Sequence, residues 1–488
     1  MYKPAAEWLR WAALAAAAAG LMATAVLLGT GSANARASAG LSRISSDPFT
    51  NTAGQHATEE DPDTHAYRST VVAAFAQGLF ADDNGATGIG FATSADRGGT
   101  WVHGSLPEIT TYTGGPFSRT AFPAVTYDRR HRTWLIASLA GQCASADCTA
   151  LPVTMAVLVS RSADGGRTWS DPVTVAQAGA PVTLDKPSIT CDTGFSSPYY
   201  GQCYIEFERH NNAGGKKYAL MSVSADGGKS WGAAKGTADH ATGIGAGSGT
   251  PLVRPDGTIV VPMDNWVPGS PSTQVVAFES RDGGRVWGRT HLIANIKAAG
   301  DPGAVLAGNE LLSAAEDAAG KIYVVWADCR FRPGCPANDI VMSTSTNGAT
   351  WSPVTRVTSG SGDNTLPGAG ADTLSSGRLA RIGITFYTYP KPHCRVTTCT
   401  IDVRFTSSAD GGNTWNQPVQ VAGPLRASWL AKGPPTPAGD TVLLGDYLGT
   451  AILPGGYAIT AFPLATAPSG NRLHQDMYAV SGGIPLRG

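Results

Sequence analysis

The sequence predicts an all-β chain, a β-propeller of four-stranded antiparallel blades, with seven blades preferred over six. Three observations lead there. The chain has 60 Gly, 32 Pro and 12 Trp among 488 residues with only 15% charged side chains, a composition of short strands and tight turns rather than of helical bundles. An octet with Ser, Asp, Gly and Trp at fixed places recurs along it. Around each copy the same order of short, alternating, β-branched segments returns.

The elements follow in order. Lys3 and Arg10 precede or flank an apolar run from Ala12 to Gly29, which leads into Ala33-Asn34-Ala35. This pattern predicts a secretory signal over residues 1–35, cleaved after Ala35, with an uncleaved anchor as the competing reading. Residues 36–488 are then expected as one exported, monomeric propeller domain with no membrane association of its own. The cysteines agree, falling into the close pairs Cys143/Cys148, Cys191/Cys203, Cys329/Cys335 and Cys394/Cys399. Four local disulfides are the simplest expectation for an oxidising compartment, and the lack of C-x-x-C spacing argues against zinc.

The octet S-x-D-x-G-x-x-W first occurs as Ser94 to Trp101, then with its Asp and Trp at Asp164/Trp169, Asp226/Trp231, Asp282/Trp287 and Asp410/Trp415. A copy one residue short runs Ser345-Thr346-Asn347-Gly348-Ala349-Thr350-Trp351. The Asp side chain accepts backbone N–H groups, Gly supplies a positive φ, and the Trp opens the next strand as an apolar anchor. Asp96, Asp164, Asp226, Asp282, Asn347 and Asp410 are therefore structural, since a calcium loop would need further alternating oxygens. Gly228-Lys229-Ser230 lies inside a copy and is no phosphate loop.

The six tryptophans stand 68, 62, 56, 64 and 64 residues apart, a period of about 63 that divides the chain beyond the signal about seven times. One blade reads Pro123–Tyr127, Thr133–Ser138, Met155–Val159, the octet, then Val173–Val175. Only six octets exist, so the seventh blade is assembled from both ends: Gly445–Thr450, Tyr457–Phe462 and Asp476–Val480, with Leu41–Pro48 as outer strand. Such closure removes exposed sheet edges.

Several functions are excluded. With 36 basic and 37 acidic residues and no basic cluster, nucleic acid is not an expected partner. There is no G-x-S-x-G and no H-E-x-x-H, and the nine His form no i, i+4 pair, so no metal and no cofactor are expected.

The octet resembles the Asp-box, or bacterial neuraminidase repeat, of the sialidase superfamily. Leu184–Asp192 followed by Ser197–Tyr204 is also similar to a stretch of secreted bacterial exo-alpha-sialidase-family proteins. The resemblance implies a glycan-directed propeller, often a retaining glycoside hydrolase with three arginines clamping a sugar carboxylate, a Tyr nucleophile supported by Glu, and an Asp acid/base. The [FY]-R-I-P motif expected for the first arginine is missing, with Ala66-Tyr67-Arg68 near its place.

In a propeller, ligands are expected at the starts of first strands and the ends of second strands, on the face opposite the octets. Those positions hold Glu59, Glu60, Asp61, Asp63, Arg119, Asp185, Lys186, Glu206, Glu208 and Arg209. Further round they hold Asp264, Asn265, Trp266, Glu310, Asp328, Arg330, Tyr387, Tyr389, Asp446 and Tyr447. Asp63 is the expected acid/base, Tyr387 the nucleophile and Glu206 its partner. Arg68, Arg119 and Arg330 are the expected clamp, with Asp264 and Trp266 as further binding residues. The expected function is a secreted sialidase-like exo-glycosidase acting on terminal sialic acid of glycans. The alternative is a non-catalytic propeller that binds an extracellular glycan or protein.

Overall fold

A computed structural model describes residues 40–487 apart from 84, 145–152, 241–245, 267–272, 301–304, 308–310 and 436–439. The signal segment expected over residues 1–35, Cys148 and Glu310 lie outside the described residues. The fold is all-β, built mainly from antiparallel four-stranded units, with one parallel pairing of Val305–Ala307 with Val442–Gly445. No helix among the described residues is long and apolar enough to cross a membrane.

The second unit shows the pattern. Its strands Arg119–Asp128, Thr133–Gln142, Thr154–Ser162 and Val173–Gly179 pair in sequence order. They contain the four segments expected from the sequence and extend them by a few residues at one or both ends. A unit of the same order begins with Glu59–Tyr67, and others begin with Val182–Cys191, Ser313–Glu316 and Asp363–Ala371. In another, two short segments, Ala246–Gly249 and Leu252–Val253, share the inner position. The last unit starts at Gly449–Leu453 and continues through Tyr457–Ala465 and Gln475–Val480. Its outer strand is Leu41–Arg43 from the other end of the chain, with Leu41 opposite Val480.

The core lies between units, because each sheet is apolar on both faces. Val72, Phe91, Ile136 and Trp169 pack between the first and second units, and Leu135, Ile189 and Phe207 between the second and third. Ile44, Phe75, Met477 and Ala479 join the last unit to the first. Burying side chains of this size contributes about 1.5–3 kcal/mol each.

The octets fold into the turn between third and outer strands. Asp164 Oδ1 accepts the N–H groups of Arg167 and Thr168 at 3.0 Å and the Ser162 hydroxyl at 2.8 Å, while Oδ2 accepts the Thr168 hydroxyl at 2.6 Å. Gly166, at φ 84°, has a second reason to be glycine. A Cβ there would stand 2.8 Å from Thr93 and Val72 of the preceding unit, and Thr93 Oγ1 donates to its carbonyl at 2.6 Å. The turn therefore also fastens each unit to its neighbour.

One expectation is corrected. Trp169, Trp231, Trp287, Trp351 and Trp415 each stand four residues before the outer strand instead of opening it. The residue after each Trp already donates to the third strand, as Ser170 does to Arg161 O at 2.8 Å. That bond fixes the indole against the sheet ahead of the regular ladder. Three of the expected disulfides, Cys191–Cys203, Cys329–Cys335 and Cys394–Cys399, are formed.

Candidate functional site

The inner strands of all the units line one central cavity of about 310 Å³. At the end opposite the Asp-box turns, a recurrent local device aims side chains inward. The inner strands break register between Glu60 and Asp63, between Ala121 and Ala124, between Asp185 and Ser188, and between Thr365 and Gly368. Each break contains a residue with positive φ followed by proline: Asp61-Pro62 (53°), Phe122-Pro123 (50°), Lys186-Pro187 (45°) and Leu366-Pro367 (50°). A bulge bends a strand and re-aims a side chain, and positive φ at non-glycine residues costs about 1–3 kcal/mol where surroundings enforce it.

Three of these bulge residues meet. The Lys186 ammonium lies 4.2 Å from the Phe122 ring centroid and 5.3 Å from that of Tyr447, and it forms an ion pair with Asp446. Asp61 Oδ1 accepts the Asp446 N–H at 2.6 Å, and the Tyr447 and Ser248 hydroxyls share a hydrogen bond of 2.8 Å. Beside this knot, Glu60, Asp61, Asp83, Asp446 and Phe122 line a second cavity of about 100 Å³. Phe122 and Asp446 border both cavities.

Burial, with the neighbouring Asp446 charge adding to it, pushes the Asp61 carboxyl up to about 7. Burial and Asp61 hold Glu60 well above the ordinary carboxyl range. Asp83, though exposed at the rim, has its carboxyl pushed to about 6, chiefly by desolvation, with the Asp446 charge adding to it. Burial opposes the charge of Lys186, but Asp446, Tyr447, Asp185 and Asp61 outweigh it and keep the ammonium protonated. The arrangement can thus hold carboxyl groups in their acid form near neutral pH beside an ion-paired carboxylate.

The expected site residues divide. Asp264 and Glu206 belong to this end of the fold. Burial and the Glu208 charge raise Asp264 to about 8, and the same causes raise Glu206. Asp63 lies deeper, on the central cavity wall, where Oδ2 accepts the Val125 N–H at 2.7 Å; burial raises it to about 6 against that bond. Trp266 is exposed, with the Lys217 ammonium 5.6 Å from its ring.

Other expected residues stand apart from the knot. Tyr387 is fully buried among Val403, Leu448 and Phe462, and its hydroxyl donates to Pro463 O at 3.0 Å, so it is not brought together with Glu206. Arg68 sits in the first hairpin, beside the first Asp-box turn, where Arg97 N–H donates to Ser69 O at 2.9 Å. Arg119 pairs with Asp82 at 2.6 Å over the Phe80 ring, and Arg330 is held by Asp328 at 2.7 Å. The arginines therefore do not form a three-pronged clamp. The residues the motif reading undervalued are Asp61, Phe122 and Lys186. Their signal is the X-Pro pair recurring at intervals of 61 and 64 residues, close to the octet period.

Residues 70–296 match the family model described as BNR repeat-like domain. No curated protein matches. Among solved structures, a Hadza microbial sialidase is 15% identical with a TM-score of 0.45, over 68% of this chain and 63% of that one. The chain thus spans less than two thirds of that sialidase. The intramolecular trans-sialidase from Ruminococcus gnavus, in complex with oseltamivir carboxylate, is 13% identical with a TM-score of 0.42, covering 90% and 98%. The alpha-L-arabinanase of Penicillium chrysogenum, complexed with arabinobiose, is 14% identical with a TM-score of 0.43, covering 90% and 97%. Structural likeness at this level carries no assignment of activity. The family match and the octets agree in kind: residues 70–296 are similar to a BNR repeat-like domain, and four of the six octets fall within that stretch.

Proposed function

We propose that the protein is an exported seven-bladed propeller that hydrolyses a terminal glycosidic bond of a neutral sugar at its acidic end. Residues 1–35 serve as the signal in this reading, and the disulfides support an oxidising compartment. The blade count rests on the four-stranded units and on the pairing of Leu41–Arg43 with the last of them.

The observation that carries the activity is the small cavity lined by Glu60, Asp61, Asp83 and Asp446 against Lys186. Glycoside hydrolysis needs one carboxyl that gives a proton to the leaving oxygen and one carboxylate that supports the developing positive charge or activates water. Asp61, pushed up to about 7 by burial, is the proton donor in this reading, and Asp446, held by Lys186, is the carboxylate. The proton leaves Asp61 for the departing oxygen, the C–O bond breaks, and water adds its hydroxyl to the sugar carbon while its other proton passes to Asp446 and on to Asp61, restoring both. Among the described residues, none that lines this pocket is a cation that could hold an anionic sugar. The arginines expected to clamp a sialic acid carboxylate are held elsewhere. Both features favour a neutral substrate over a sialoside.

The test is release of a fluorescent aglycone from a panel of glycosides, sialosides included. Wild-type protein is expected to turn over a neutral glycoside, and Asp61→Asn to lower kcat/KM by about 10²–10⁴-fold. Activity should fall as pH rises through about 7, where Asp61 loses its proton. Release from the sialoside alone would restore the sialidase reading and sink the neutral-sugar one. Glycan binding without release from any member of the panel would leave the binding-protein reading standing instead.

A further inference from the structure

A second cluster lies beside the acidic cavity, and acid/base chemistry does not use it. Residues alternate faces along a strand, so Glu206, Glu208 and His210 of the strand Cys203–Asn211 share one side, while Phe207 faces the core with the second unit. Asp185 on the neighbouring inner strand stands opposite Glu208 in register. His210 Nε2 and Glu208 Oε2 are 2.5 Å apart, and one ligand atom from each of Asp185, Glu208 and His210 falls within 4.8 Å of the others. One oxygen of Asp185 accepts the Lys186 N–H at 3.0 Å.

A second observation is independent of that geometry. Glu206 and Asp264 are at least nine-tenths buried, and Glu206 Oε1 and Asp264 Oδ1 have no hydrogen-bond partner. Both carboxylates face the Ala246–Gly249 segment. Gly249 N–H donates to Glu206 Oε2 at 3.2 Å, and a Cβ on Gly247 would stand 1.9 Å from Asp264 Oδ2. A buried acceptor without a donor is costly, and two of them beside a His and two more carboxylates are satisfied together by a cation.

We propose that Asp185, Glu208 and His210 bind one divalent transition-metal ion, with Glu206 and Asp264 completing the shell directly or through water. Imidazole and carboxylate together suit ions from manganese to zinc, whereas calcium and magnesium favour an all-oxygen set. The site does not depend on glycosidase turnover, because its readout is metal uptake.

Full-length protein is stripped with a chelator, dialysed against Zn²⁺ or Mn²⁺ alone, and assayed for bound metal and for thermal unfolding. One ion per chain and a raised Tm are expected. His210→Gln and Asp185→Asn should each weaken binding at least 10-fold while circular dichroism stays unchanged, and His103→Gln, on an exposed outer strand, should leave it intact. Uptake of neither ion would overturn the proposal. So would uptake indifferent to His210→Gln and Asp185→Asn, or a preference for Ca²⁺ or Mg²⁺ over both transition ions.

Discussion

The two ends of the molecule use the same residue type in opposite charge states. At the Asp-box end, carboxylates lie at the surface and are held as anions by short hydrogen bonds. The Thr100 N–H and hydroxyl, each 2.8 Å away, bring Asp96 down to about 2, and Asp164 is lowered in the same way by Thr168. At the acidic end, Asp61 and Asp264 are buried and pushed up to about 7 and about 8. Donors close by make a carboxylate a structural part, and burial without enough donors makes it a reactive one. Position along the strand, not residue identity, decides which.

If Lys186 is what lets the acidic end tolerate its carboxyl groups, its removal should have a large effect. Lys186→Met keeps the bulk against Phe122 and Tyr447 but strands Asp446. Breaking a fully buried pair costs about 3–5 kcal/mol; with Lys186 and Asp446 only partly buried, about 2 kcal/mol is expected, read at pH 7 by chemical denaturation. The loss should shrink at pH 5, where the stranded carboxyl groups can take up protons. Equal losses at both pH values would mean that packing, not charge, was removed.

An effect of similar size separates the ends by pH. Glu59 is fully buried, and its Oε2 accepts the Met477 N–H at 2.6 Å across to the last unit. Burial raises it to about 8 from an ordinary 4.5. The folded state holds this proton more tightly than the unfolded chain, so stability drains away as pH rises from about 4.5 to about 8. Asp-box carboxylates act in the other direction, giving stability that is lost only as pH falls below the carboxylate range. Wild-type stability should therefore peak in mildly acidic solution. Glu59→Gln, which keeps the shape and the acceptor, should flatten the alkaline side by roughly 2 kcal/mol between pH 5 and 8. Parallel curves for the two proteins would show that Glu59 does not carry the slope.

The same contrast explains what the sequence made legible. Asp-box turns are local, with every bond of Asp164 closing within four residues, so a motif suffices to read them. The outer strand Leu41–Arg43 could also be placed, because its partner was the one unit lacking a fourth strand. The acidic end is assembled over long range. Lys186 and Asp446 are 260 residues apart, and only the bulge at Lys186-Pro187 tells which way the lysine points. Tyr387 shows a different limit. Both faces of Ile382–Tyr389 are packed between units, Tyr387 and Tyr389 on one side and Ile384 and Phe386 on the other, so either parity sends the side chain into a core. His210 escaped notice because the spacing sought, i, i+4, belongs to helices, whereas on a strand Glu208 and His210 at i, i+2 share a side.

The smallest effect tests the Asp-box end alone. In the short copy, Asn347 Oδ1 accepts four bonds by itself: the Ala349 and Thr350 N–H groups at 3.0 and 2.9 Å, the Thr350 hydroxyl at 3.1 Å and the Ser345 hydroxyl at 3.2 Å. Asp410 divides the equivalent bonds between two oxygens, with three on Oδ1 and the Thr414 hydroxyl on Oδ2 at 2.6 Å. Asn347→Asp supplies the second acceptor and a charge, and charge-assisted bonds are shorter and stronger than neutral ones. Because the turn is exposed, solvent screens most of that gain and leaves about 0.5 kcal/mol at pH 7. The new carboxyl should have a lowered folded-state pKa, so its contribution should fade as pH falls toward about 3. A gain that persists at that pH would come from backbone preference rather than charge. No gain at pH 7 would mean that the turn template, with Gly348 at φ 77°, already does what the carboxylate does in the full octets.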